Sequence, residues 1–118
     1  MIERTFDIPT PDGAMNTFSV RPDDGGPLPV VLMLMDAPGV REGLREICRR
    51  ISLSGYCVLL PNLYYRTSRD FVCGPTRDHP DAEENRTRMS GLMKSISNAK
   101  VAADAGVILD RLPSMPDA

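Results

Sequence analysis

Residues 29–35 read Pro-Val-Val-Leu-Met-Leu-Met, an unbroken apolar run that stops at Asp36-Ala37-Pro38-Gly39-Val40. A strand apolar on both faces fits a parallel sheet covered by helices on both sides, whereas a strand with one wet face would alternate apolar and polar positions. In open sheets of this kind ligands bind beyond the carboxyl ends of the strands. The carboxylate, proline and glycine that close the run therefore mark the first place to look for chemistry.

Around that strand the chain reads as an α/β unit. Ile2 to Ile8 and Ala14 to Val20 alternate as strands do, and Pro9-Thr10-Pro11-Asp12-Gly13 supplies turn residues between them, so residues 1–21 are expected to form a hairpin. After Val40 the apolar positions Val40, Leu44, Ile47, Cys48 and Ile51 fall on one helical face, with Arg41, Glu42, Arg45, Glu46, Arg49 and Arg50 left in solvent. Ser54-Gly55 ends this helix, and Tyr56 to Leu60 follows as a second buried strand stopped by Pro61. Residues 29–61 thus form a βαβ unit. Residues 62–80 lack periodicity and are read as a loop on the same edge as Asp36. Residues 81–112 hold two helices, the second carrying Val101, Ala105, Ile108, Leu109 and Leu112 on one face.

The length of 118 residues suits one domain. Two long parallel strands and a hairpin bury little, and at about 1.5–3 kcal/mol per large aliphatic side chain the margin over chain entropy is thin. A third parallel strand is expected after Pro116, so the sequence reads as one part of a larger fold.

Fourteen Lys and Arg against sixteen Asp and Glu give a formal charge of -2. That balance offers nucleic acid or an anionic membrane no long-range attraction. Cys48, Cys57 and Cys73 include no C-x-x-C pair, so neither a metal site nor a disulfide framework is expected. Charged residues occupy positions 3, 4 and 7, where a signal peptide needs an apolar stretch, and no run is long enough to span a bilayer. The setting predicted is cytoplasmic. Mononucleotide binding is disfavoured, because residues 36–40 lack both the G-x-G-x-x-G turn and the Walker lysine.

Val30 to Val40, the helix with Arg45-Glu46, and Gly55-Tyr56-Cys57-Val58-Leu59-Leu60-Pro61-Asn62-Leu63-Tyr64-Tyr65-Arg66 together resemble the dienelactone hydrolase family of α/β-hydrolases. The resemblance covers most of the chain and implies the N-terminal portion of an α/β-hydrolase fold acting on a small ester or lactone, without cofactor or metal. It implies that Asp36 stands where the family carries a carboxylate, usually Glu, that contacts the nucleophile, and that the Ala37 N–H forms half of the oxyanion hole. Tyr64, Arg66 and Arg86 are the expected substrate-binding side chains, with Arg88 a neighbouring option and Ser90 standing where a substrate-contacting tyrosine is expected. The family's Pro-Asp-Leu-Tyr becomes Pro61-Asn62-Leu63-Tyr64, which removes a charge.

The family's nucleophile lies in a Gly-x-Cys-x-Gly or Gly-x-Ser-x-Gly turn, and these residues contain neither. With the triad order of nucleophile, acid and histidine, all three members are expected beyond Ala118, and the 118 residues alone are expected to be inactive. His79 precedes that point and reads as a loop histidine. Cys48 and Cys57 read as small core residues, and Cys73 as a loop thiol without a base. A different class of reading makes the chain a non-catalytic module that self-associates, or pairs with another chain, through a sheet edge left open after Tyr56 to Leu60.

Overall fold

The computed structural model describes residues 1–23, 26–69 and 82–115. Four strands form one sheet in the order β1-β2-β4-β3: β1 Ile2–Thr10, β2 Gly13–Arg21, β3 Val30–Leu32 and β4 Cys57–Pro61. Helix α1 (Glu42–Ser52) joins β3 to β4, and α2 (Ala82–Ser95) and α3 (Asn98–Arg111) follow, with a short 3-10 turn over Leu112–Ser114. The α/β class and the helix-linked parallel pair expected from the sequence are present.

The hairpin pairs antiparallel from Ile2 with Arg21 to Thr10 with Gly13. Its turn is closed by Thr10, whose Oγ1 donates to Gly13 O at 2.9 Å and accepts the Asp12 N–H at 3.1 Å. Gly13 has φ of 135°, a backbone region that a side chain would strain. β4 pairs antiparallel with β2 through Thr17–Pro61 to Val20–Val58, and parallel with β3 through Val30–Cys57 to Leu32–Leu59.

This order corrects two expectations. The strand Tyr56 to Leu60 is not beside an open edge, since β4 lies between β2 and β3; the outer strands are β1 and β3. The apolar run is also shorter as a strand, with Met33 N–H still bonded to Leu59 O at 2.8 Å but the ladder ending there. β4 closes at Pro61, which has no N–H to extend the ladder. As an outer strand β3 is half-buried, and Leu34 beyond it is 50% exposed.

The sheet is nevertheless covered on both faces. Met15, Cys57 and Leu59 pack on one side with Ile8, Tyr65 and Ile108 of α3. Phe18, Val20, Val58 and Leu60 pack on the other with Leu44 and Cys48 of α1. Alternate residues of β2 and β4 serve opposite faces, so both strands are buried almost throughout. A third cluster joins Tyr64 to Leu92 of α2, with Met35, Met89 and Ile96 around them.

The helical faces are narrower than their periodicity predicts. In α1 Leu44 and Cys48 are buried while Ile47 is exposed; in α3 Ile108 is buried and Leu109 exposed. Each exposed residue is one position from a buried one, a rotation of about 100° that carries it off the stripe facing the sheet. In its place α3 buries Asp104. Glu42 in the first turn of α1 and Arg49 and Arg50 in its last complement the helix dipole, and Gly55, at φ of 97°, turns the chain into β4.

Candidate active site

The site grows from the break after β3. Asp36 to Gly39 forms a tight turn closed by the Gly39 N–H on Asp36 O at 3.1 Å, with Gly39 at φ of 91°. The turn leads into α1, and the first side chain of that junction answers the strand-end carboxylate. Arg41 reaches back with both terminal guanidinium nitrogens, Nη1 bonding Asp36 Oδ1 and Nη2 bonding Oδ2 at 3.0 Å, while Nη1 also donates to Gly39 O at 3.2 Å. This fork geometry suits a carboxylate because two parallel N–H bonds meet two oxygens. The hydrogen bond from Arg41 holds the Asp36 carboxyl below the usual carboxylate range, against a smaller opposing effect of burial.

Ala37 presents its backbone at the centre of the turn. Its carbonyl accepts the Tyr64 hydroxyl at 2.8 Å, and its N–H has no acceptor among the described residues. Tyr64 comes from the segment after β4, in which the Thr67 and Ser68 N–H groups return to Tyr64 O at 2.9 and 2.8 Å. The start of that segment is set by Asn62. Its Oδ1 accepts the Tyr64 N–H at 3.0 Å, and its Nδ2 donates to Asn16 Oδ1 at 3.0 Å and to Ser68 O at 2.8 Å. An aspartate there could accept but not donate, so the amide in the Pro-Asn-Leu-Tyr sequence has a structural cause. Burial, and then the Asp36 charge, raise the Tyr64 phenol above its ordinary value.

Asp36, Ala37 and Tyr64 are therefore brought together at the carboxyl edge of β3 and β4. Tyr64, expected as a substrate contact, is 1% exposed and packs under the turn. Arg66 faces elsewhere. Its Nη1 and Nη2 bond the two oxygens of Asp104 at 3.0 and 2.9 Å, its Nε bonds Asp12 at 2.8 Å, and its guanidinium stacks 4.6 Å from the Tyr65 ring. Burial opposes the charge on Arg66, but the two carboxylates outweigh it and raise its pKa. The Tyr65 hydroxyl also donates to Asp104 Oδ1 at 2.9 Å and meets Thr10 Oγ1 at the hairpin turn. This network ties α3, the segment after β4 and the hairpin together. Arg86 lies exposed on α2, where it lines a shallow groove of about 550 Å³ with Glu83, Thr87, Ser90, Gly91 and Lys94. Arg88 reaches Ser68 Oγ at 3.4 Å.

Cys48 and Cys57 are buried. Cys48 sits against Met33 Sδ at 3.4 Å, and burial pushes its thiol up to about 11, the reverse of what a nucleophile requires. Cys73 and His79 lie outside the described residues, as does most of the expected 62–80 loop. Among the described residues no group of three or more His, Cys, Asp or Glu could hold a metal ion, and no helix is long and apolar enough to cross a membrane. Arg41 escaped the sequence reading, which placed it on the wet face of α1; its position five residues after Asp36, across Pro38-Gly39, was the available signal.

Comparison with known proteins gives this geometry a setting. The sequence model of the dienelactone hydrolase family matches residues 15–118. A protein of Escherichia coli (strain K12) named "Putative carboxymethylenebutenolidase" is 36% identical over 98 residues, covering 82% of this chain and 33% of that protein. One of the same name from Methylorubrum extorquens is 39% identical over 59 residues, covering 50% of this chain and 20% of the relative. The crystal structure titled as a putative dienelactone hydrolase from Klebsiella pneumoniae superposes with a TM-score of 0.71 at 27% identity, covering 99% of this chain and 45% of its own. The chain thus spans about a third of the length of the Escherichia coli relative and under half of the Klebsiella structure.

Proposed function

The chain belongs to the dienelactone hydrolase family, and from that premise we propose that it forms one wall of a site that hydrolyses a small carboxylic ester or lactone. Ala37 contributes a backbone N–H to the oxyanion hole, and Asp36 is an auxiliary carboxylate beside it. The nucleophile, cysteine or serine, and its base come from polypeptide outside these 118 residues, which contain no Gly-x-Cys-x-Gly or Gly-x-Ser-x-Gly turn. Arg86 and the α2 groove border the substrate's carboxylate end, with Tyr64 in the segment that shapes the floor and Arg66 bracing that segment from behind through Asp104. The whole domain works in the cytoplasm without cofactor.

The observation that carries this reading is the turn itself, which holds an N–H without an acceptor among the described residues at the carboxyl end of a parallel strand. A donor fixed where negative charge develops is worth about 10²–10³ in kcat, provided an attacking group stands nearby. The test is nitrophenyl ester hydrolysis by the 118-residue chain, beside the same chain joined at its C-terminus to the remaining segment of the Escherichia coli relative. Turnover by the joined protein alone is expected. Robust turnover by the short form would overturn the placement of the nucleophile.

A second reading draws on the outer strand β3, whose far side pairs with nothing among the described residues. Unpaired strand edges recruit other chains. A stable oligomer without esterase activity in either form, measured by light scattering, favours a self-associating module over the hydrolase.

A further inference from the structure

The turn beyond β3 fixes its outward donor through two hydrogen bonds from different parts of the chain. A peptide unit is planar, so the Asp36 C=O and the Ala37 N–H share one rigid plane and point in opposite directions. The Gly39 N–H draws that carbonyl into the turn at 3.1 Å, which aims the Ala37 N–H away from the turn's interior. The next plane carries the Ala37 carbonyl, and its oxygen is held by the Tyr64 hydroxyl at 2.8 Å. With the planes on both sides tied, the φ and ψ of Ala37 have little left to vary.

We propose that Tyr64 is a positioning residue, whose hydroxyl on the Ala37 carbonyl holds the Ala37 N–H in place for a developing oxyanion. This rests on the oxyanion role of Ala37 given above. Tyr64 can act as an anchor because it is itself fixed. Its ring is buried among Leu92, Met35, Met89 and Ile96, its N–H is bonded to Asn62 Oδ1, and its carbonyl accepts two N–H groups. The anchor thus links the end of β4 to the end of β3, the two strands that converge on the site.

Pro38 is the competing anchor. A proline narrows the backbone of the residue before it to part of its allowed range without fixing it. That range leaves the Ala37 carbonyl free to swing, and the N–H with it. A hydrogen bond 2.8 Å long to a buried side chain narrows the range further. Electrostatic stabilisation of an oxyanion depends on donors already aimed before the reaction begins, so the narrowing is what the chemistry needs.

The test is backbone ¹⁵N relaxation on the full 118-residue chain. In the parent protein the Ala37 N–H is expected to be as ordered as Leu44 or Val58, with S² of about 0.85. Tyr64→Phe removes only the hydroxyl, and is expected to lower S² at Ala37 below about 0.6 while Leu44, Val58 and Ile108 keep their values. A merely structural role would instead lower order throughout or nowhere. Pro38→Ala, at a half-buried position, serves as the second variant. Ala37 is expected to stay ordered in it. An ordered Ala37 in Tyr64→Phe, or a disordered one in Pro38→Ala, would overturn the proposal. If Tyr64→Phe loses its fold, Pro38→Ala alone decides. These order parameters need no ester to be hydrolysed, so their failure is distinct from a failure of the hydrolase reading.

Discussion

Removing the Asp104 carboxylate, itself almost fully buried, takes away the main partner of the largely buried Arg66 guanidinium. The Asp104 side chain is 3% exposed and that of Arg66 17%, and three hydrogen bonds of 2.9–3.0 Å converge on the carboxylate from Arg66 and Tyr65. Truncating one partner of a buried pair costs about 3–5 kcal/mol, because the other charge is left without compensation. Two contacts pull Asp104→Ala to the low end. Arg66 keeps Asp12 through Nε, and the Tyr65 hydroxyl keeps Thr10 Oγ1. The expected loss is about 3 kcal/mol, or roughly 10 °C in Tm for a chain of this size. Urea unfolding followed by circular dichroism measures it, and a double-mutant cycle with Arg66→Met isolates the pair. Once Arg66 is gone no charge is stranded, so the double variant should cost less than the sum of the singles by about 2 kcal/mol. A loss under about 1 kcal/mol for Asp104→Ala, or additivity within about 0.5 kcal/mol, refutes the argument.

Asn62→Asp is expected to lose about 2 kcal/mol at pH 7, since a carboxylate cannot donate to Asn16 Oδ1 and Ser68 O. Urea titrations across pH should show the loss growing as the new carboxyl ionises; a loss independent of pH would remove the donor argument. Arg41→Met should raise the Asp36 pKa toward its ordinary value of about 3.9, read from the carboxyl ¹³C shift. Because the folded value lies below the unfolded one, the pair's stabilisation is complete above the unfolded value and disappears as pH falls through the folded one. An Asp36 titration unchanged by Arg41→Met rules out the ion pair as its cause. Cys48 and Cys57 should resist iodoacetamide at pH 8 while the protein is folded, with Cys48 protected by the burial that raises its thiol to about 11. Alkylation of Cys48 faster than global unfolding, detected by peptide mass spectrometry, contradicts this.

Much of the fold could be read locally because its signals are local. The Pro11-Asp12-Gly13 turn places the hairpin, the 3.6-residue period places α1, and Gly55 and Pro61 bracket β4. The edge position of β3 could not be read this way. An apolar run predicts burial, but strand order depends on which neighbour claims each side, and β2 took the side of β4 that the sequence reading left open. At the site, Asp36 and Ala37 were visible as the abrupt end of the run. Their partners were not: Tyr64 meets Ala37 across 27 residues, and Arg66 meets Asp104 across 38. Arg41 was within five residues of Asp36, yet that spacing belongs to neither helix nor strand, so amphipathic patterning assigned it to solvent.

The two Arg–Asp forks have like geometry and opposite energetic weight. Asp104 is closed in by α3 and Tyr65, so its pair acts as a brace whose loss is costly. Asp36 is 52% exposed and Arg41 32%, so water already screens their pair, which is worth about 0–1 kcal/mol. A weak pair is a poor reason to end a half-buried apolar strand in a carboxylate, and stability alone does not account for it. It suits a strand edge where a carboxylate must be kept ionised while its partner can be exchanged at little cost. Asp36→Asn should therefore shift Tm by less than about 4 °C, while Asp104→Asn shifts it by several times more. Equal shifts for the two would remove the distinction between a brace and a site.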